Sequence, residues 1–244
     1  MRRALTILMS TYLMLATATA ADRVALVIGN GGYANAMKLP NAPHDAEDLS
    51  AALSAAGFEV ITGIDLDHAA MQAKATKFAQ SAQTATVVLF YYAGHSLAIG
   101  EQDVLIPVDA KLETAHDIEA SGIGTGELIE AAMAKGQIAV ILLDVARTNP
   151  YGKELRQWRE QGSNAFQRQD VLVLHSTAPG ELAADGEGRN SPFTVSLLKH
   201  LTEKGVDLDK AMNIVRKEVA ESTGNRQLPW MSSSLSHEVY LGGK

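Results

Sequence analysis

The feature that most limits the fold of this chain is its alternation of short, unbroken apolar runs with longer amphipathic stretches. Val24-Ala25-Leu26-Val27-Ile28, Phe58 to Ile64, Thr86 to Tyr92, Ile138 to Leu143 and Val171 to Leu174 each read as a strand. A strand that is apolar at successive positions, and not only at every second one, has both faces covered. The stretches between them have the helical period. Residues 43–56 carry Leu49 and Leu53 four apart and stop at Gly57. Asp67 caps a helix reaching about Ala82, with Met71, Ala75 and Phe78 on one face. Thr125 caps a helix to about Lys135, closed by Gly136. Ser191-Pro192 sets a cap and a first-turn proline on a helix ending at Gly205, and another helix covers about Leu208 to Ser222. His237 to Leu241 alternates like an edge strand. Strands alternating with helices predict an α/β fold, a mostly parallel sheet with helices on both faces.

A covered sheet needs a large core. With 46% apolar and 20% charged residues over 244 positions, the composition supplies it. Residues 1–20 are set apart from the fold. Arg2 and Arg3 precede an apolar stretch to about Ala16, and Ala18-Thr19-Ala20 is a small-x-small cleavage pattern. They read as a signal peptide, leaving 21–244 as the domain, periplasmic or secreted, with no stable membrane span expected. The net charge is −7, and losing Arg2 and Arg3 takes it to −9. That balance argues against nucleic acid or an anionic membrane surface as a partner. The chain has no cysteine. Disulfides, thiolate zinc sites, iron–sulfur clusters and cysteine nucleophiles are therefore excluded. Arg147 to Gln169, polar and irregular, reads as a mobile loop inside the domain.

In parallel sheets, sites form at the carboxyl ends of strands. The third strand runs into Ala93-Gly94-His95-Ser96 and the fourth into Asp144-Val145-Ala146-Arg147, so His95 and Asp144 are expected as neighbours. Other signals are weaker. Gly29-Asn30-Gly31-Gly32-Tyr33-Ala34 fits a Gly-x-Gly-x-x-Ala dinucleotide fingerprint, but Pro40 and Pro43 interrupt the helix that fingerprint requires. His44 with Asp45 and His116 with Asp117 read as solvated surface pairs rather than metal ligands. Ser176 ends the fifth strand, but the sequence brings it neither a base nor oxyanion donors.

Several segments carry a resemblance. Val24–Asn30 with Tyr33, Leu39-x-Asn41-x-x-x-Asp45-Ala46-x-x-Leu49, Phe90-Tyr91-Tyr92-Ala93-Gly94-His95, Leu105-x-Pro107-x-Asp109-Ala110 and Leu143-Asp144-Val145-Ala146-Arg147-x-Asn149-Pro150 follow in order. Thr177-Ala178-Pro179-Gly180, Asp185-Gly186-x-Gly188-x-Asn190-Ser191-Pro192-Phe193-Thr194 and Gln227-x-Pro229-Trp230 complete the series. Together they resemble the bacterial caspase-like peptidases, relatives of the metacaspases and orthocaspases, over essentially the whole of 21–244. The resemblance implies a caspase–hemoglobinase-like three-layer sandwich around a six-stranded, mostly parallel sheet. It also implies a Cys–His dyad, in which a thiolate attacks the scissile carbonyl and the histidine protonates the leaving amine.

The dyad histidine falls on His95, and the nucleophile position falls on Ala146, whose methyl group cannot attack anything. Backbone amides beside the histidine, at Gly94 and Ser96, correspond to the oxyanion donors, although the family usually has Gly where Ser96 stands. Asp144, two residues before the nucleophile position, corresponds to a pocket acid that accepts Arg or Lys. Its plain alternative is a turn cap at the strand end. The implied protein is a pseudopeptidase that binds a peptide or protein partner, or modulates an active relative. The alternative is a cysteine-type endopeptidase cutting after Arg or Lys, which holds if Ala146 is an engineered replacement for Cys; the codon at 146 separates the two. Calcium dependence occurs in such relatives, but nothing in this sequence points to calcium or to any other cofactor.

Overall fold

Strand by strand, successive side chains point to opposite faces of a sheet, and here both faces are packed. The computed structural model describes residues 21–99, 102–111, 117, 121–133, 136–146, 168–178, 181 and 183–244. The strands are β1 (Arg23–Gly29), β2 (Glu59–Ile64), β3 (Val87–Ile99), β4 (Gln102–Leu105), β5 (Ile123–Gly124), β6 (Ile138–Ala146), β7 (Val171–His175) and β8 (Trp230–Ser233). The described helices are α1 (Asn41–Ala55), α2 (His68–Ala82), α3 (Thr125–Ala132), α4 (Pro192–His200) and α5 (Leu208–Ser222). The main sheet has the order β2-β1-β3-β6-β7-β8, and all but β8 run parallel. β4 turns back on the end of β3, and β5 pairs with β4.

Ala25, Val27, Leu89, Tyr91, Val140 and Leu142 face one layer, made by Leu49 and Leu53 of α1, Phe193 of α4 and Val215 of α5. Leu26, Ile28, Phe90, Tyr92, Ile141 and Leu143 face the other, made by Met71 and Phe78 of α2 and Leu128 of α3. This is an α/β three-layer sandwich of the caspase–hemoglobinase kind.

Two caps follow the sequence, at Asp67 and Ser191, and the structure adds a third at Asp207. Asp67, Ser191 and Asp207 accept from the amides of Ala70, Thr194 and Lys210 at the starts of α2, α4 and α5. Other boundaries move. Thr125 is the first residue of α3, not its cap, and its hydroxyl donates to the Asp103 carbonyl at 2.6 Å. α3 stops at Ala132, and α4 at His200 rather than Gly205. β3 continues past Tyr92 because Ala93 to His95 pair in register with Asp144 to Ala146. The edge strand is Trp230–Ser233, not His237 to Leu241. In that last segment Val239 and Leu241 are buried against the core, so the alternation is real. Its backbone bonds, however, go to the Leu208 amide, the Asp207 carboxylate and the Arg23 guanidinium and form no ladder. Residues 1–20 and 147–167 lie outside the described residues, so the expected leader and most of the expected loop are not addressed by the structure.

Candidate functional site

The chain leaves β1 toward β2 on one side and β3 lies on the other, which opens a crevice at the carboxyl ends of β1 and β3. α1 begins there, packed tightly on the sheet. A side chain at Gly29 would place its Cβ 2.1 Å from the Ala42 carbonyl oxygen, so only glycine lets the helix approach this closely. The approach presses the buried face of α1, Ala42, Asp45, Ala46 and Leu49, toward the ends of β3 and β6.

The structure puts His95 inside β3, with Ala146 as its register partner on β6. Adjacent strands lie about 4.8 Å apart, so the two backbones are immediate neighbours. His95 is fully buried. Its Nε2 lies 2.8 Å from the Met37 carbonyl oxygen. A carbonyl only accepts, so Nε2 carries the proton, and in the neutral ring Nδ1 is the basic nitrogen. The His95 amide donates to Tyr33 Oη at 2.8 Å, and the Tyr33 ring sits 4.5 Å from the imidazole. Tyr92 Oη donates to the His95 carbonyl at 2.9 Å. Gly94 takes φ +157°, and a Cβ there would lie 2.6 Å from Tyr92 Oη and 2.7 Å from Tyr33 Oη. Glycine at 94 therefore lets the two tyrosines clamp the histidine backbone. Ser96 is buried, and its hydroxyl has no partner among the described residues.

Asp144 does not cap a turn. It lies inside β6 at 6% exposure and accepts a short hydrogen bond from Ser191 Oγ. Asp45, at 1% exposure, faces the same cleft and accepts from the Ser191 amide at 3.0 Å. This corrects the reading of His44-Asp45 as a solvated pair. His44 is partly exposed and pairs with Glu47, whereas Asp45 is interior. Asp185, half-buried, completes the group; its carboxylate accepts from the Asn41 amide at 3.3 Å. The cleft lies between these carboxyls and the backbone of Ala93 and Gly94.

Burial, with the charge of Asp144 adding to it, raises the Asp45 pKa to about 8. Burial raises Asp144 to about 6, against the stabilising hydroxyls of Ser191, Ser176 and Thr194. Burial also raises Asp185, opposed by the Asn41 amide and by His95. No lysine or arginine among the described residues pairs with any of the three. An acidic, largely desolvated cleft of this kind complements a guanidinium or ammonium group.

The structure sets His95 level with Ala146 and places Asp144 in one cleft with Asp45 and Asp185, which the sequence reading quoted as motif positions without giving them a role. A signal for Asp45 was present, because it shares a helical face with Ala42, Ala46 and Leu49 and is therefore a charge on an apolar stripe. Asp185 lies in irregular backbone, which has no period to read. The glycines after β1 bind no dinucleotide pyrophosphate in a helix start, since α1 begins only at Asn41; the Gly31 and Gly32 amides donate to Asp65 at 2.8 and 2.7 Å. Ser176 is fully buried, and the nearby His175 is committed to Asp103 at 2.8 Å. His116 lies outside the described residues. Among those described, no His, Cys, Asp and Glu cluster can hold a metal ion, and no helix is long and apolar enough to cross a membrane.

A family model for the caspase domain matches residues 22–240. No curated protein matches the chain. The chain belongs to the caspase-domain family.

Proposed function

We propose that this member of the caspase-domain family is a pseudopeptidase, a peptide-binding module that has kept the histidine side of the dyad and lost the nucleophile. The observation that carries the reading is Ala146 in register with His95, in a chain without a single cysteine. The family chemistry needs a thiolate at that position to attack the carbonyl and His95 to protonate the leaving amine. With a methyl group there, no covalent intermediate forms, while the clamp on His95 and the acidic cleft remain.

The ligand in this reading is a peptide or protein segment bearing Arg or Lys, its cation seated against Asp144, Asp45 and Asp185. An active caspase-like relative that displays such a segment is a partner of this class, and binding it would modulate that relative. The leader in residues 1–20 supports a site of action in the periplasm or outside the cell. The test pairs binding with turnover. Purified full chain should bind an Arg-terminated peptide more tightly than its citrulline counterpart, and Asp144→Asn should erase the difference. It should not hydrolyse Arg- or Lys-terminated fluorogenic peptides, with or without calcium. Turnover that His95→Ala abolishes would overturn the pseudopeptidase reading.

A further inference from the structure

The geometry points to a proton-exchange pocket: Asp45 and Asp144 share a proton while the cleft is empty and release it when a basic side chain enters. This inference rests on the reading that the cleft takes such a side chain, and adds how that binding is regulated.

The hydrogen-bond donors around the pair are too few for two anions. Ser191 serves both acids, its amide donating to Asp45 at 3.0 Å and its hydroxyl to Asp144. That hydroxyl already accepts from the Thr194 amide at 3.0 Å, so its single proton is committed to Asp144. The Ser176 hydroxyl and the Asn190 side-chain nitrogen favour the carboxylates of Asp144 and Asp45 respectively but complete no hydrogen bond among the described residues, and the Thr194 hydroxyl, which also favours Asp144, is engaged with Tyr91. An ionised carboxylate offers about four acceptor sites, more than the described protein donors supply to this pair.

The other charged and titratable groups around the pair do not relieve it. From β3, Tyr91 hydrogen-bonds Thr194 at 2.7 Å, and the two carboxyls themselves help hold it in its neutral form. Asp185, in the segment before α4, adds negative charge. His95 acts on Asp185. Arg189, the nearest guanidinium on that segment, is spent outside the cleft on Asp48 at 2.9 Å and Glu47 at 3.2 Å. Two buried acids facing one cleft, with no cation pairing them among the described residues, together keep a proton, as paired carboxyls do. A guanidinium or ammonium supplies the missing charge, and the proton leaves to solvent. Binding is thus weak in acid and strong above neutrality.

Calorimetry on the full chain tests this with the peptide acetyl-Ala-Ala-Arg-amide. At pH 7, the observed enthalpy in buffers of differing ionisation enthalpy should report release of about one proton per peptide. The dissociation constant should fall on the order of tenfold per pH unit between about 6 and 8, then level off. The citrulline peptide should release none. Asp45→Asn should flatten the pH profile. Because the wild-type proton count is decisive alone, a poorly folding variant does not spoil the test. Peptide binding with no proton release and a flat profile would overturn the exchange while leaving the basic-side-chain pocket standing. No binding of the Arg peptide at any pH from 5.5 to 9.5 would overturn the pocket reading, and the exchange with it.

Discussion

Asp45→Asn removes the acid that burial perturbs most, and its effect on stability is opposite to that expected of a lost buried charge. The Asp45 pKa stands at about 8 in the folded protein, against 3.8 for the ordinary side chain. A folded-state pKa above the unfolded one means the native state binds the extra proton. The resulting stability is fully present below about pH 4 and is lost as pH rises toward 8. Each pH unit across that window costs ~1.4 kcal/mol of native stability at full strength. From pH 5 to pH 8 this amounts to about 4 kcal/mol, which relaxation and water penetration reduce to roughly 2 kcal/mol. Asn keeps the carbonyl that accepts the Ser191 amide and cannot ionise. It should match the wild type at pH 5 and exceed it by ~2 kcal/mol at pH 8.5. For a domain of this size that is on the order of 4–8 °C in the melting midpoint. Scanning calorimetry of both proteins at the two pH values measures the difference. An equal offset at pH 5 and pH 8.5, or a variant weaker only at alkaline pH, would refute the argument that Asp45 is held protonated.

Three further outcomes are expected. Gly94→Ala forces a Cβ against the hydroxyls of Tyr92 and Tyr33 at φ +157°. It should cost roughly 2–3 kcal/mol by denaturant titration, with larger loss for bulkier residues. Ala146→Cys places a thiol at the register position opposite His95, so its pKa should fall below the unperturbed ~8.5. Alkylation of that cysteine should stay fast below pH 8 and slow with His95→Ala; an ordinary pKa indifferent to His95 would show that the two positions do not communicate. Exported protein should begin at Ala21 by intact-mass analysis, and a membrane-retained species beginning at Met1 would make it an anchored protein instead.

The sequence by itself determined the layers and their order. Continuous apolar runs such as Val24–Ile28 and Val171–Leu174 already imply strands buried on both faces, and Asp67 and Ser191 mark helix starts through local hydrogen bonds that involve only neighbours in the chain. It also determined that no thiol chemistry is available, because residue identity needs no fold. His95 and Ala146 were legible as the ends of two strands, since a strand's carboxyl end is a local property. What the sequence could not determine was the register in which those ends meet. The register of β3 with β6 brings His95 level with Ala146, 51 residues further along the chain (146 − 95), and it is fixed by sheet pairing rather than by either strand alone. The β3 extension and the mistaken edge strand at 237–241 have the same origin, for burial pattern shows that a segment packs but not what its backbone bonds to.

The acidic cleft was decided by tertiary structure alone. Asp45 comes from α1, Asp144 from β6 and Asp185 from the segment before α4, and one serine, Ser191, ties two of them together. Their perturbation is a collective effect: each carboxyl would have an ordinary pKa in isolation, and only shared burial, mutual repulsion and the lack of a partnering cation among the described residues change it. Charges separated by a hundred residues in sequence have no physical interaction until packing removes the water between them.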